Sequence, residues 1–504
     1  MVFSNAVFLF LFLPITLLFY YFFLWRKQHK LCNIWLLFVS LGFYAWGEPI
    51  YIFLMILSIA ANYSFGRWVD KYNKKTKSPM GKRIVALACL FNLGILFVFK
   101  YLSWILGMFK VSDSLFANLS LPIGISFYTF QALSYVIDVY RGKDEAQKNI
   151  IDVGLYIAFF PQLIAGPIVR YGSIAKQLHD RDHTLDKFSD GVWRFCIGLA
   201  KKVLIANHIA PLADLAFSLT SSNPGYGYAV GTANSPADLS VALAWAGALA
   251  FMLQIYFDFS GYSDMAIGLG KMFGFEFNEN FNYPYISKSI SEYWRRWHIS
   301  LGEWFRDYLY YPLSLGPAIK LRKRAVDAGV SRKGAGVIST VFVLFVVWMA
   351  TGMWHGANWT FVVWGLIQFA FITWEQYRKP LKNKKLGAVL GFVTTFFVVL
   401  ITKVIFKSES MTQAIQYYGA MFHLNGNVVW DNLARYWLGQ YYRVLIAGFI
   451  FAFPVVEKIN EAVKGKSFLK IWEGIKFAAM ILLFVMSASY VIGGGYNPFI
   501  YFNF

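Results

Sequence analysis

The run Trp348-Met-Ala-Thr-Gly-Met-Trp-His-Gly-Ala-Asn-Trp-Thr-Phe-Val-Val-Trp364 carries one ionisable side chain, His355, in an otherwise apolar stretch. An imidazole in such a run costs free energy unless it faces a polar cavity. An ionisable group at membrane depth is therefore a functional-site hypothesis by default. Imidazole also exchanges a proton near neutral pH. The stretch predicts an all-α, membrane-embedded chain that does chemistry inside the membrane rather than acting as a passive anchor.

Composition agrees with that setting. Hydrophobic residues make up 58% of the 504, aromatics 20% and charged residues 15%, and mean hydropathy is +0.48. Soluble domains carry roughly 25% charged residues. Eighteen Trp and 31 Tyr suit interfacial belts. The formal charge of +20 comes from short Lys/Arg clusters between apolar spans. That is the positive-inside pattern, and it argues against a nucleic-acid partner. Cys32, Cys89 and Cys196 are far apart and form no CxxC pair, so they read as small buried hydrophobes rather than as disulfides or metal ligands.

Residues 6–24 form an apolar run followed by Arg26-Lys27-Gln28-His29-Lys30, which reads as a spanning helix with a basic stop, not a cleavable signal. The cluster from Lys71 through Lys74 and Lys75 to Arg83 is expected on the same, cytoplasmic side, with two spans between and a turn at Gly47-Glu48-Pro49. Further apolar segments lie at 84–109, 120–138, 151–168, 191–216, 239–273, 336–354, 359–377, 386–406, 440–455 and 472–494. The expectation is a polytopic membrane protein with about 11–13 membrane helices and re-entrant segments.

Residues 278–314 interleave Asn278, Glu279, Asn280, Asn282, Lys288, Glu292, Arg295, Arg296, Glu303, Arg306 and Asp307 with Tyr and Trp. Polar chain of this kind is tolerated at membrane depth only inside protein or along a cavity. An interfacial amphipathic helix with snorkelling cations is an equal alternative. Stretches 217–238 and 408–438 read as extramembrane loops. Lys320, Arg322, Lys323, Arg324, Arg332 and Lys333 read as a cytoplasmic loop in contact with membrane lipids. No fixed-period repeat, low-complexity tract or linker to a soluble domain is visible, so 1–504 reads as one membrane-embedded unit.

No GxSxG elbow, Walker-type loop, GxGxxG or HExxH motif occurs. His179 and His183 have i,i+4 spacing but lie in a charged stretch that reads as a solvated face. His29 and His423 lie in polar loops. His298 and His355 each follow a Trp and have compact polar neighbours, Arg295-Arg296-Trp297-His298-Ile299-Ser300 and Trp354-His355-Gly356-Ala357-Asn358. A neutral imidazole in a dry cavity serves as general base and then general acid. A buried histidine bonded across helices is the structural alternative.

Several blocks in order along the chain resemble the membrane-bound O-acyltransferase family. They are Ser289–Tyr310, Gly352–Phe361, Pro122–Gln131, Phe160–Ile168, Tyr256–Met265 and the ending Tyr496–Phe502. Within the family the likeness is to the bacterial branch containing the alginate O-acetylation membrane subunit and relatives acting on peptidoglycan or other exported polysaccharides. The resemblance implies helices around a central tunnel, with 278–377 as the catalytic core segment. It places His355 at the catalytic histidine and His298 at the second signature histidine, which orients the donor or polarises its carbonyl.

It further implies acetyl-CoA as co-substrate, with no bound cofactor or metal. His355 then acts as general base towards an acceptor hydroxyl, or forms a covalent acetyl-histidine. Trp294, Arg295, Trp297, Asp307 and Asn358 are candidate tunnel-wall residues, the arginine pairing Asp307 or a donor phosphate. Tyr262 and Asp258 join them as tunnel-lining candidates, although a structural role for both, and for Asp264, ranks above direct chemistry. The implied partner is an exported SGNH-hydrolase-like acetyltransferase or another extracytoplasmic acceptor, and the implied location the bacterial cytoplasmic (inner) membrane.

The chain departs from the alginate-type pattern at Ser314-Leu315-Gly316-Pro317, where Gly-Gly-x-Arg is usual. It departs again at Ile405-Phe406-Lys407-Ser408, where a Phe-Phe-Arg-Ala type run is common. Alginate as the substrate is weakened accordingly. D-alanyl transfer to teichoic acid from a carrier-protein thioester is the alternative function, and a transporter or flippase with a midplane site is a third. A rise of about 1.5 Å per residue from Lys333 puts His355 towards the outer side, whereas the resemblance puts it mid-tunnel.

Overall fold

The computed structural model describes residues 1–73, 78–109, 119–221, 238–379, 381–465, 468–497 and 500. Lys74 and Lys75 of the second basic cluster, most of the 217–238 stretch and parts of the terminal block lie outside these residues.

The described chain is helical almost throughout. Helices α1 (Phe8–Trp25), α2 (His29–Gly47), α3 (Ile52–Asn73) and α4 (Pro79–Lys100) lead it. The well-buried α5 (Ile125–Arg141) and α6 (Ile150–Ala158) follow, then the long α7 (Leu185–Ser218) and α8 (Val241–Met272). Short α9 (Ile290–Arg296) and α10 (Ile299–Phe305) carry the polar stretch, and the basic α11 (Pro317–Asp327) comes after it. The chain continues through α12 (Arg332–His355), α13 (Trp359–Tyr377), α14 (Lys384–Lys407), α15 (Met411–Met421), α16 (Asn432–Phe451), α17 (Val455–Val463) and α18 (Leu469–Ile492). Among the described residues, α1–α4, α7, α8, α12, α14 and α18 are long and apolar enough to cross a bilayer. The chain is a polytopic, all-α membrane protein.

Burial separates a central layer from a lipid-facing one. The apolar windows of α7 and α8 are each 72% buried, against 22% for α4 and α12 and 11% for α18. Lipid does not drive helices together by hydrophobicity, so close association needs small residues that let backbones touch. At Gly198 of α7 a Cβ would come within 2.5 Å of the Gly261 carbonyl oxygen on α8. A widened turn at Lys201–Ala206 of α7 then delivers Lys202 to Asp258 of α8, Nζ to Oδ1 2.6 Å, both fully buried.

The hairpin of α12 and α13 uses the same device. A Cβ at Gly352 would meet the Phe361 carbonyl oxygen at 2.5 Å, and one at Gly365 would meet the Trp348 carbonyl oxygen at 2.6 Å. The turn Gly356-Ala357-Asn358 closes it, with Asn358 Oδ1 accepting from the Thr360 N–H at 3.0 Å as the cap of α13. α12 runs unbroken from Arg332 to His355. His355 stands at the helix end remote from the basic segment rather than halfway along it.

The structure also bears on two polar stretches. The 278–314 stretch is anchored inside the protein, with Asn280, Ser287, Tyr293, Trp297 and His298 buried, which favours the buried reading over a surface-lying helix. The 408–438 stretch contains α15, whose Gln413 Nε2 donates to the Phe217 carbonyl at 2.9 Å from a buried position, so it is not an ordinary loop.

Gly352→Val is expected to force the α12–α13 hairpin apart. Overpacking at such a contact costs typically about 1–3 kcal/mol. A lowered thermal midpoint of the detergent-solubilised protein checks it.

Candidate active site

The polar segment is tied to α13 of the helical hairpin through α9. Glu375, near the end of α13, accepts from the Ile290 and Ser291 N–H groups at 2.6 and 2.9 Å, satisfying the open N-terminus of α9. One turn on, Trp294 Nε1 donates to Gln368 Oε1 at 3.1 Å, and Gln368 Nε2 donates to Thr402 Oγ1 at 3.3 Å. This relay joins α9, α13 and α14.

His298 sits between α9 and α10 with φ 47, a left-handed backbone that a histidine adopts at a cost. Asn280 holds it there. Its side-chain oxygen accepts from the Ser300 N–H (3.2 Å) and Ser300 hydroxyl (2.9 Å) and lies 3.2 Å from His298 Nδ1. An oxygen already accepting two donors needs a proton on Nδ1, so the neutral ring carries its lone pair on Nε2. His298 Nε2 and Asn280 Nδ2 are both buried with no hydrogen-bond partner among the described residues.

His355 is 3% exposed and enclosed by aromatic rings. Centroid distances from its ring are 4.9 Å to Trp354, 5.1 Å to Trp364, 5.0 Å to Phe406 and 6.3 Å to Phe361. Trp354 also lies 5.9 Å from the His298 ring, so the two histidines share one indole as a wall. Two lysines flank the pair. Lys100 Nζ donates to the Trp354 carbonyl and lies 3.4 Å from Ser126 Oγ. Lys403, 3% exposed, holds its Nζ 4.3 Å from the centroid of Trp297 and 5.0 Å from that of Phe406.

The other sequence candidates distribute unevenly. Trp297 is buried under Lys403, and Trp294 packs 5.5 Å from Trp364, one ring removed from His355. Arg295 is exposed and makes no hydrogen bond or ion pair among the described residues. Asp307 instead pairs with Arg170 at 2.5 Å and Arg306 at 3.1 Å. Burial acts to raise the Asp307 carboxyl, but Arg306 and Arg170 outweigh it and hold the group below the usual carboxylate range. Asn358 is occupied as a cap, and its Nδ2 donates to the Glu409 carbonyl at 2.7 Å. Asp258 is held by Lys202 and by the Ile500 N–H at 3.0 Å, and Tyr262 stacks on Phe3 at 4.5 Å. Lys407, at the departure from the alginate-type run, pairs with Asp214 at 2.7 Å. His183 is not a solvated residue, since its Nε2 lies 2.8 Å from the Tyr20 hydroxyl.

The family model for membrane-bound O-acyltransferases matches residues 144–406, a segment that contains both histidines and Lys403. The chain belongs to the membrane-bound O-acyltransferase family. This acyltransferase is 39% identical to the probable alginate O-acetylase of Pseudomonas putida, over 100% of both chains. It is 29% identical to the peptidoglycan O-acetyltransferase of Helicobacter pylori over 100% of this chain and 98% of that one. It is 27% identical to the teichoic acid D-alanyltransferase of Bacillus subtilis over 58% of this chain and 70% of that one. It is an O-acyltransferase, and its bond-making chemistry is transfer of an acyl group to a hydroxyl oxygen.

The placement of Asp258 in this acyltransferase predicts a stability effect rather than a kinetic one. Asp258→Ala removes the carboxylate that pairs with buried Lys202 at 2.6 Å, a loss of about 3–5 kcal/mol. The double variant Lys202→Met/Asp258→Leu should recover most of it in thermal denaturation.

Proposed function

We propose that the protein passes acetyl groups from cytoplasmic acetyl-CoA to an extracytoplasmic acceptor, for O-acetylation of a cell-envelope or exported polysaccharide. The observation that carries this reading is the pair His355 and His298, buried around one shared indole in a chain that matches O-acetylating relatives from end to end. The D-alanyltransferase likeness covers little more than half of the chain, which favours acetyl over D-alanyl as the group moved. The setting is the bacterial inner membrane, and the next carrier is an exported SGNH-hydrolase-like acetyltransferase or a polysaccharide hydroxyl itself. Residues 1–504 act as one membrane-embedded domain with 278–377 as its catalytic segment.

His355 is the general base. Its imidazole takes the acceptor hydroxyl proton as that oxygen bonds to the thioester carbon, then returns the proton to sulfur as the C–S bond breaks. The aromatic wall excludes water, which would otherwise hydrolyse the thioester. His298, with Nδ1–H turned to Asn280, offers its Nε2 lone pair to a donor N–H or O–H and so orients the donor. In that tautomer it has no proton at Nε2 with which to polarise a carbonyl.

The test is transfer from labelled acetyl-CoA by purified full-length protein to alginate oligosaccharide and soluble peptidoglycan fragments. His355→Ala is expected to lower kcat by roughly 10²–10⁴-fold. His298→Ala is expected to raise KM for the donor with a smaller fall in kcat. Unchanged transfer by His355→Ala contradicts the role given to that residue. Transfer from a carrier-protein D-alanyl thioester, but not from acetyl-CoA, contradicts the acetyl reading.

A further inference from the structure

Lys403 is a buried lysine with no anion beside it among the described residues. It is 3% exposed, and among the described residues it makes no hydrogen bond or ion pair, only its contacts with the faces of Trp297 and Phe406. Aromatic faces return part of the lost hydration of an ammonium group but carry no formal charge. A methionine of similar length would fill the same space without the desolvation cost. The site is also central, because Trp297 adjoins His298 in sequence and the Phe406 ring lies 5.0 Å from His355.

Lys100, the other buried cation here, is committed otherwise. Its Nζ is bonded to the Trp354 carbonyl, at the end of α12 where backbone acceptors lack intrahelical donors. It thereby fixes the backbone beside His355. Neither histidine supplies the remaining requirement of the reaction. Attack on a thioester puts a negative charge on the carbonyl oxygen, while His355 handles the moving proton and His298 presents a lone pair. Acyl-transfer sites stabilise that charge with preorganised donors in a water-excluded setting.

We propose that Lys403 is the oxyanion-stabilising catalytic residue, its ammonium binding the carbonyl oxygen of the acyl donor as the tetrahedral intermediate forms. The proposal rests on the acetyl-thioester reading given above. As the acceptor oxygen bonds to the acyl carbon, the hydroxyl proton passes to His355. The carbonyl π pair moves onto oxygen beside Lys403. On collapse that pair reforms the carbonyl and the C–S pair leaves on sulfur, which takes the proton back from His355. Lys403 keeps its proton throughout, and the missing counter-charge is present only while the reaction is under way.

The experiment compares full-length wild type, Lys403→Met and Lys403→Arg in detergent, with labelled acetyl-CoA and the same hydroxyl acceptors, measuring kcat, KM and thermal midpoint. For Lys403→Met the expected result is a fall in kcat of roughly 10²–10³-fold, the scale for removing one oxyanion donor. KM for acetyl-CoA should change by less than about threefold, as for an interaction made only in the transition state. Its thermal midpoint should equal or exceed that of wild type, and Lys403→Arg should retain activity within tenfold of wild type. A Lys403→Met protein with a lowered midpoint, with unimpaired kcat, or with raised KM and unchanged kcat overturns the proposal. An inactive wild type overturns the acetyl-donor reading and the proposal with it. An active wild type beside an equally active Lys403→Met overturns the proposal alone.

Discussion

A polar group carried to membrane depth loses its water, and the surrounding protein must replace that water or leave the group for a substrate to satisfy. Much of this structure follows from how each such group is treated. Asp258 and Lys202 satisfy one another, Asn280 occupies His298 Nδ1, Glu375 closes the start of α9 and Lys100 covers the Trp354 carbonyl. His298 Nε2, Asn280 Nδ2 and the Lys403 ammonium are left without such a partner among the described residues. They gather around the same aromatic wall as His355.

Helix geometry explains why they gather there. α4, α12 and α14 each begin near a basic pair, at Lys82-Arg83, Arg332-Lys333 and Lys384-Lys385, and each carries its buried ionisable residue near the other end, at Lys100, His355 and Lys403. From each cluster to its residue is a rise of roughly 27–33 Å along the helix. The three residues thus share the helix ends remote from the basic clusters, which is the outward half if the positive-inside rule sets the orientation proposed above. That arrangement suits a donor entering from one side and an acceptor waiting on the other. The close glycine contacts between α12 and α13 hold His355 in position while most of α12 faces lipid.

His355 was legible because a lone ionisable residue in an apolar run stands out without any knowledge of its neighbours. The same signal was present at Lys100 and Lys403, within the runs 84–109 and 386–406, and reading those runs only as spans passed over it. Other features depend on contacts that spacing cannot report. Asp307 finds Arg170, 137 positions away, rather than the nearby Arg295, because Arg295 falls on the exposed face of a short helix whose next residues toward the core are Trp294 and Trp297. Asn358, singled out by the family resemblance, also starts α13 by accepting from the Thr360 N–H, a role that its spacing from His355 does not report. The helical character of 411–421 was hidden by its polar content, since Gln413 is buried against a backbone carbonyl contributed by α7.

The proposed mechanism requires one acyl carbonyl to be held between His355 and Lys403. A cryo-EM structure of the full-length protein with a non-hydrolysable acetyl-CoA analogue tests it most directly. The analogue's carbonyl oxygen is expected at about 3 Å from Lys403 Nζ, the hydrogen-bond distance of an oxyanion donor, with the His355 ring facing the carbonyl carbon. An analogue whose acyl end lies outside the aromatic wall, with Lys403 still unpaired, would contradict it.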